Sequence, residues 1–214
     1  YFSAGTLGIG RLLSNHRIDW LRTNEPIDLV AAVGNDLWAY SNKGRLFTLK
    51  RQKQIPLPTP YWYIRNLYRT SDGVVLACTN EGIRWFDGTS WQKTKRPKNP
   101  RLDQTVCYAK IGGRQLIGTQ AGLAELQGDS IFLTKLHGHE IRQAVFAILA
   151  ISGNEVWMGT DEGILLIRDG KLLRYGPSKG LQGYDVNRSA LVQASTGEVL
   201  IGTNAGLNIY DERF

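Results

Sequence analysis

Long hydrophobic runs are missing from this chain of 214 residues, and no segment approaches the ~20 apolar residues that a bilayer-crossing helix needs. Nothing at the amino end combines a charged region, an apolar core and a small-residue cleavage site. The chain as it stands reads as soluble, with any membrane attachment left to flanking segments. It opens at "YFSAGT", inside what should be a strand, and stops at "NIYDERF", just after another. The expectation is a piece of a longer protein, with room upstream for a signal peptide. Cysteine is scarce: Cys78 and Cys107 are the only two, and no Cys-x-x-Cys spacing is present. Buried thiols or a disulfide between adjacent repeats both satisfy that count, so cysteine usage leaves the redox compartment undecided. A helical apolar period is absent, as are a Gly-x-Ser-x-Gly elbow, a phosphate loop and persuasively paired carboxylates. The chain is read as a non-enzyme without a cofactor.

What the sequence does contain is a repeat. "EVWMGTDEGILLI" begins at Glu155 and a near copy, "EVLIGTNAGLNIY", at Glu198. Each shows alternating apolar residues, Gly-Thr, two polar residues, a Gly and a second apolar run, the pattern of a β-hairpin. Further copies are "QLIGTQAGLAEL" from Gln115, "VVLACTNEGIRWF" from Val74, "DLWAYSNKGRLFTL" from Asp36 and a clipped "FSAGTLGIGRLL" from Phe2, which makes six. The turn glycines Gly8, Gly44, Gly82, Gly122, Gly163 and Gly206 recur about every 40 residues, the period of four-stranded propeller blades. An apolar stretch such as 144–154 precedes each hairpin and a shorter one such as 170–176 follows it, giving strands A, B, C and D with an Asp-Gly turn between C and D. The expected fold is all-β: a β-propeller of four-stranded antiparallel blades, one domain over 1–214 and part of a larger ring or protein. The repeats fall at approximately 1–24, 25–60, 61–100, 101–140, 141–183 and 184–214. Gly159 and Gly202 should avoid clashes between neighbours, Thr160 and Thr203 should bond turn backbone groups, and Trp157 should pack between blades.

The stretch from Gly153 to Asp211 resembles consecutive units of the two-component regulator propeller family, which read Gly-x-Leu-Trp-Ile-Gly-Thr-x-x-Gly-Leu, an aromatic-Asp end and a Gly-Leu loop. Trp157, Gly159, Thr160, Gly163, Gly180 and Leu181 occupy those places, as do Gly202, Thr203, Gly206, Leu207, Tyr210 and Asp211. The resemblance is strong from about residue 110, fair at 74–91 and weak before that, where Tyr40-Ser41 replaces Gly-Thr. It implies a periplasmic, ligand-sensing part of a membrane-anchored bacterial signalling protein, dimerising through the parent protein and performing no chemistry. The alternative is an interaction propeller, an assembly or adaptor module without a small ligand.

Charge narrows the partners. The formal net charge is +7, with much of the excess in "KRQK" (50–53) and "KTKRPKNPR" (93–101), both assigned to the end of a D strand or the loop after it. Such runs are ordinarily solvated faces, and without a recognition helix or an RNA-binding signature no nucleic-acid partner is expected. "KLHGHE" clusters His137, His139 and Glu140, but only distant His16 offers another imidazole, so the segment is read as a loop and no metal is expected. Strand alternation puts the A–B and C–D turns on one face of a blade and the B–C turns and D–A loops on the other. That second face carries Tyr61, Trp62, Arg65, Arg101, Arg142, Tyr184 and Asn187, the candidate ligand-binding residues. A polar or acidic ligand such as a uronic-acid-containing oligosaccharide would suit them, through guanidinium forks and aromatic stacking. The competing reading is that the arginines pair with nearby carboxylates and the loops are merely sealed.

Overall fold

The computed structural model describes residues 1–3, 5–13, 17–21, 23–51, 53–59 and 62–213. The chain divides into two compact units, Tyr1–Lys93 and Thr94–Phe214. In the first, β1 (Phe2–Ser3), β2 (Ile9–Leu12) and β3 (Ile18–Leu21) form a three-stranded sheet. Two four-stranded sheets follow: β4 (Ile27–Val33), β5 (Asp36–Ser41), β6 (Leu46–Thr48) and β7 (Gln54–Ile55), then β8 (Ile64–Arg69), β9 (Val75–Thr79), β10 (Gly82–Phe86) and β11 (Trp91–Lys93). The second unit begins with β12 (Thr105–Ile111), β13 (Arg114–Thr119), β14 (Gly122–Gln127) and β15 (Ser130–Leu133), followed by a small hairpin of β16 (Lys135–Leu136) and β17 (His139–Glu140). It continues with β18 (Val145–Ala150), β19 (Glu155–Thr160), β20 (Gly163–Arg168) and β21 (Lys171–Tyr175), a 3-10 turn at Pro177–Lys179, and a three-stranded sheet of β22 (Val186–Gln193), β23 (Val199–Thr203) and β24 (Gly206–Tyr210).

This is an all-β propeller fold of sequentially wound antiparallel blades. Every blade sheet lies inside one of the six sequence repeats. Four have the expected four strands, while the first and last show three among the described residues. Successive A strands are neighbours within each unit, β4 beside β8, and β12, β18 and β22 beside one another, as strands lining an axis must be.

Alternation of this kind is the pattern of a half-buried strand, but strand B is buried on both sides: all five residues of β9 are buried, and five of six in β19. Within each unit one sheet is sandwiched between two others, β4–β7 in the first and β18–β21 in the second. From the β18–β21 blade, Val156, Met158, Leu165 and Ile167 join a core with residues of the β12–β15 blade, while Ala147, Trp157, Ile164 and Leu166 join one with Val186, Leu191, Val199 and Ile201. In the first unit, Val33, Trp38 and Tyr40 pack with Ile64, Leu67, Val75 and Phe86. Burial on both faces explains the conserved small residue of the repeat within this chain: a Cβ on Gly159 would come within 2.4 Å of Val186 Cγ1. Cys78 and Cys107 are free buried thiols, and desolvation pushes the Cys107 thiol up to about 12.

One basic run is not where the sequence placed it. Lys50, Arg51 and Lys53 lie between β6 and β7, at the C–D turn, because strand D of that blade is Gln54–Ile55. The sequence reading placed this run at the end of strand D or in the loop after it. These three cations therefore belong to the A–B and C–D face, opposite the D–A loops.

Candidate functional site

The B–C turn is built the same way in four blades. Thr79, Thr119 and Thr160 each donate through Oγ1 to the carbonyl of the turn glycine three residues on, at 2.8, 2.9 and 2.9 Å, while Thr203 shares its one proton between the Gly206 carbonyl at 3.2 Å and the nearer Gln182 carbonyl at 2.5 Å. The same oxygens accept the backbone N–H of Glu81, Ala121, Glu162 and Ala205. One hydroxyl thus satisfies two backbone groups of a tight turn. The first turn residue then donates its N–H to the residue just before strand A: Asn42 to Pro26, Asn80 to Tyr63, Gln120 to Gln104 and Asn204 to Asp185, at 2.9–3.2 Å. B–C turns and D–A loops consequently share a face within these four blades, the arrangement that strand alternation requires.

Against this frame the candidate residues separate into three groups. Trp62 is 1% exposed, its ring covered by the Arg84 guanidinium at 4.6 Å and met edge-on by Trp91 at 5.3 Å. Its carbonyl accepts the Tyr40 hydroxyl at 2.5 Å. The expected stacking plate is instead a packed core residue, because the loop before β8 turns inward. Tyr61 lies outside the described residues.

Arg65 and Asn187 lie on strands, not loops, and occupy one structural position. All five A–B strand pairs shift register near the start of strand A, and Arg65 and Asn187 fall within the shifts of β8 and β22. Arg65 Nη1 donates to the Thr79 carbonyl at 2.9 Å and Asn187 Nδ2 to the Thr203 carbonyl at 3.0 Å. A bulge leaves a ladder carbonyl short of its partner, and here a side chain supplies the donor.

The third group faces solvent in the second unit. Arg142, on the 141–144 connection, holds Glu140 through two contacts, 3.1 and 3.2 Å, and keeps that carboxyl below its usual range. Arg101 follows a turn closed by Asn99 and makes no ion pair among the described residues. In its loop Lys95 pairs with Asp129 at 3.2 Å and Arg96 with Asp103 at 3.5 Å. Tyr184 is 61% exposed. None of these three is hydrogen-bonded to another. The loop before β22 is pinned by Gln182, whose N–H meets Asn208 Oδ1 at 2.6 Å and whose carbonyl accepts Thr203 Oγ1 at 2.5 Å. Gly180, at φ 87°, closes the 3-10 turn and Leu181 inserts into the inter-blade core, which is the structural use of the Gly-Leu signature. Gln182 was not anticipated; its only sequence signal is its place after that pair.

His137 and His139 diverge: their Nε2 atoms reach the Gly153 and Gly170 carbonyls, each at 2.9 Å. No group of three metal-ligating side chains occurs among the described residues, and none of their helices is long and apolar enough to cross a membrane.

No family model and no curated protein matches the chain. Solved structures do. The extracellular domain of the hybrid two-component system BT4673 from B. thetaiotaomicron superposes with a TM-score of 0.69 at 16% identity, covering 91% of this chain and 28% of that one. The corresponding domain of BT3049 from B. thetaiotaomicron gives 0.61 at 20%, covering 94% and 28%. This chain has the β-propeller fold of those extracellular domains. It spans less than a third of their length. YCF48 bound to D1 peptide is also similar, at TM-score 0.57 and 18% identity, covering 86% of this chain and 63% of that one.

Proposed function

We propose that the chain is part of an extracytoplasmic sensing propeller of a bacterial two-component-type signalling protein, receiving a polar ligand on the face of its D–A loops. The observation that carries this reading is the shared fold with extracellular domains of hybrid two-component systems. The site geometry supports it in one respect: the repeated turns are internally satisfied, which leaves the variable loops as the exposed, chemically distinct part of that face. Arg101 and Tyr184 are its solvent-facing donor and ring, and Arg142 joins them by exchanging Glu140 for a ligand carboxylate. The parent protein supplies the membrane anchor, the remaining blades and the dimer contacts. No catalytic step is assigned to it.

Calorimetric titration with uronic-acid oligosaccharides against neutral ones tests the reading. Tighter binding of the acidic series, weakened by Arg101→Ala and Arg142→Ala, supports it; tighter binding of the neutral series, or binding indifferent to both substitutions, removes it. A second reading, an adaptor that docks a peptide, draws on the likeness to YCF48 bound to D1 peptide and on the outer strand β24, where Leu207 and Ile209 are exposed. Failure of every saccharide together with peptide binding would favour it.

A further inference from the structure

The first unit contains a cleft of about 460 Å³ on the face of the A–B and C–D turns, opposite the D–A loops. Trp38 and Phe86 form its floor, edge to face with centroids 6.0 Å apart. Four exposed cations rim it: Lys50, Arg51 and Lys53 from the C–D turn of the β4–β7 blade, and Arg69 from the end of β8. None of the four forms an ion pair among the described residues. The Arg69 guanidinium rests where side chains are missing: a Cβ on Gly34 would fall within 2.6 Å of Nη1, and one on Gly73 within 3.5 Å of Nη2. The one lining carboxylate, Asp36, is turned to the backbone and accepts the N–H groups of Leu37 and Lys50 through Oδ1 at 2.8 and 2.9 Å.

The repeat provides an internal control. Trp38 pairs with Thr48, and Trp157 pairs with Leu166, so Lys50 and Arg168 hold the same place two residues on, and Asp36 and Glu155 the same place two residues before the Trp. Likewise Phe86 pairs with Val75 as Tyr210 does with Val199, which aligns Arg69 with Gln193 and Gly88 with Glu212. In the second unit this position is a cleft of about 200 Å³ whose cations are neutralised. Arg168 pairs with Glu155 at 2.9 Å and with Glu212, and Arg213 pairs with Asp211 at 2.7 Å and Glu198 at 2.5 Å. In the first unit a glycine stands where the acid would be and an arginine where the amide would be. Asp87, aligned with Asp211, gives its carboxylate to the N–H groups of Thr89 and Ser90 at 2.8 Å each. One blade junction closes its charge internally, and the other leaves four cations open over aromatic rings.

We propose that the cleft rimmed by Lys50, Arg51, Lys53 and Arg69 binds a small polyanion, one carrying two or more phosphate, sulfate or carboxylate groups on a body of saccharide size. Its volume lies within the range of small-molecule pockets. Arginine forks suit planar or tetrahedral oxyanions, and lysines supply point charge. Several cations close together favour a ligand with more than one negative group, and the open space at Gly88 lets it approach the backbone.

The test is calorimetry with inorganic pyrophosphate, a doubly sulfated disaccharide and its unsulfated parent, at two salt concentrations. One charged probe or both should bind at one site per chain, more weakly in higher salt, with the neutral parent silent; the tighter probe identifies the phosphate or sulfated-sugar source. Lys50→Ala and Arg69→Gln should each weaken binding about tenfold or more, whereas Lys171→Ala, which removes an exposed cation from the corresponding turn of the β18–β21 blade, should change nothing. Lys53→Ala serves as a second variant if Arg69→Gln lowers the melting temperature. Silence of both charged probes, or equal weakening by Lys171→Ala, overturns the proposal. Binding that survives Lys50→Ala and Arg69→Gln but falls with Arg101→Ala places the anion on the loop face and overturns it as well.

Discussion

Replacing Trp157 with alanine should be among the most damaging single changes in the second unit, and its cost can be worked from what the indole touches. The ring is 0% exposed and stands between two sheets, in a core with Ala147, Ile164, Leu166, Val186 and Ile201. Tyr175 stacks on it at 6.1 Å and Tyr210 meets it edge-on at 4.8 Å. Nε1 donates to Glu155 Oε1 at 2.8 Å. Removing the indole leaves Glu155 bound to Arg168, so no buried carboxylate is orphaned and the penalty is chiefly lost burial plus the cavity. Large aromatic truncations of this kind cost about 3 to 5 kcal/mol. For a chain of this size each kcal/mol lowers the melting temperature by about 2–4 °C, so the shift should be about 6–20 °C. Circular-dichroism melting measures it, with Trp157→Phe as a partner variant that keeps most of the packing and should fall between the two. A shift below about 3 °C in Trp157→Ala would refute the view that this junction is held by the indole.

Two further outcomes follow from the same geometry. Gly159→Ala drives a Cβ into Val186 and should cost about 1–3 kcal/mol by urea denaturation; adding Val186→Ala should recover part of that loss, a coupling that independent sites would not show. Glu125 accepts Arg114 in a fork, Nε to Oε1 at 3.1 Å and Nη2 to Oε2 at 2.8 Å, and that guanidinium holds the carboxyl below its ordinary 4.5. A depressed folded-state value stabilises the fold above the unfolded value and is lost as pH falls through the folded one. Melting temperature should therefore drop below about pH 4.5 more steeply in the wild type than in Glu125→Gln, and parallel curves would discard the pair as a pH-dependent contributor.

The blade repeat was legible because tight turns and close sheet packing each demand one residue type. Only a glycine clears Val186 at position 159, and only a short hydroxyl at position 160 reaches both turn groups. Those demands recur at a fixed period, so strand order could be read through all six repeats. Strand ends carried no such demand. The basic run gave no sign that it precedes strand D, which begins only at Gln54, and it was consequently assigned to the wrong face. The loop residues were legible by place but not by role. Arg65 and Asn187 look like free donors in the sequence because a register shift, which leaves a threonine carbonyl to be satisfied, has no signature in residue type. Trp62 looked like a plate for a similar reason: its burial depends on Arg84 and Trp91, which come from other strands of the blade.

Function in such a fold has to reside where one copy departs from another, and the physical chemistry says which departures count. A substitution at a turn threonine or an inter-blade glycine is answered by the fold itself, through lost hydrogen bonds or collision. A substitution on a rim is answered only by solvent or by a ligand. Arg142 shows the limited case, an exposed cation already held by the carboxylate two residues before it. The junction of the β4–β7 and β8–β11 blades shows the fuller one, since Gly88 in place of an acid and Arg69 in place of an amide both change charge in the same direction. The four rim cations, above a floor of buried aromatic rings that the packing needs anyway, repel one another with no carboxylate among the described residues paired to them. A cluster that works against the fold in this way is accounted for by an anion that neutralises it, and the neutralised junction in the second unit shows how little sequence change would have removed the cost.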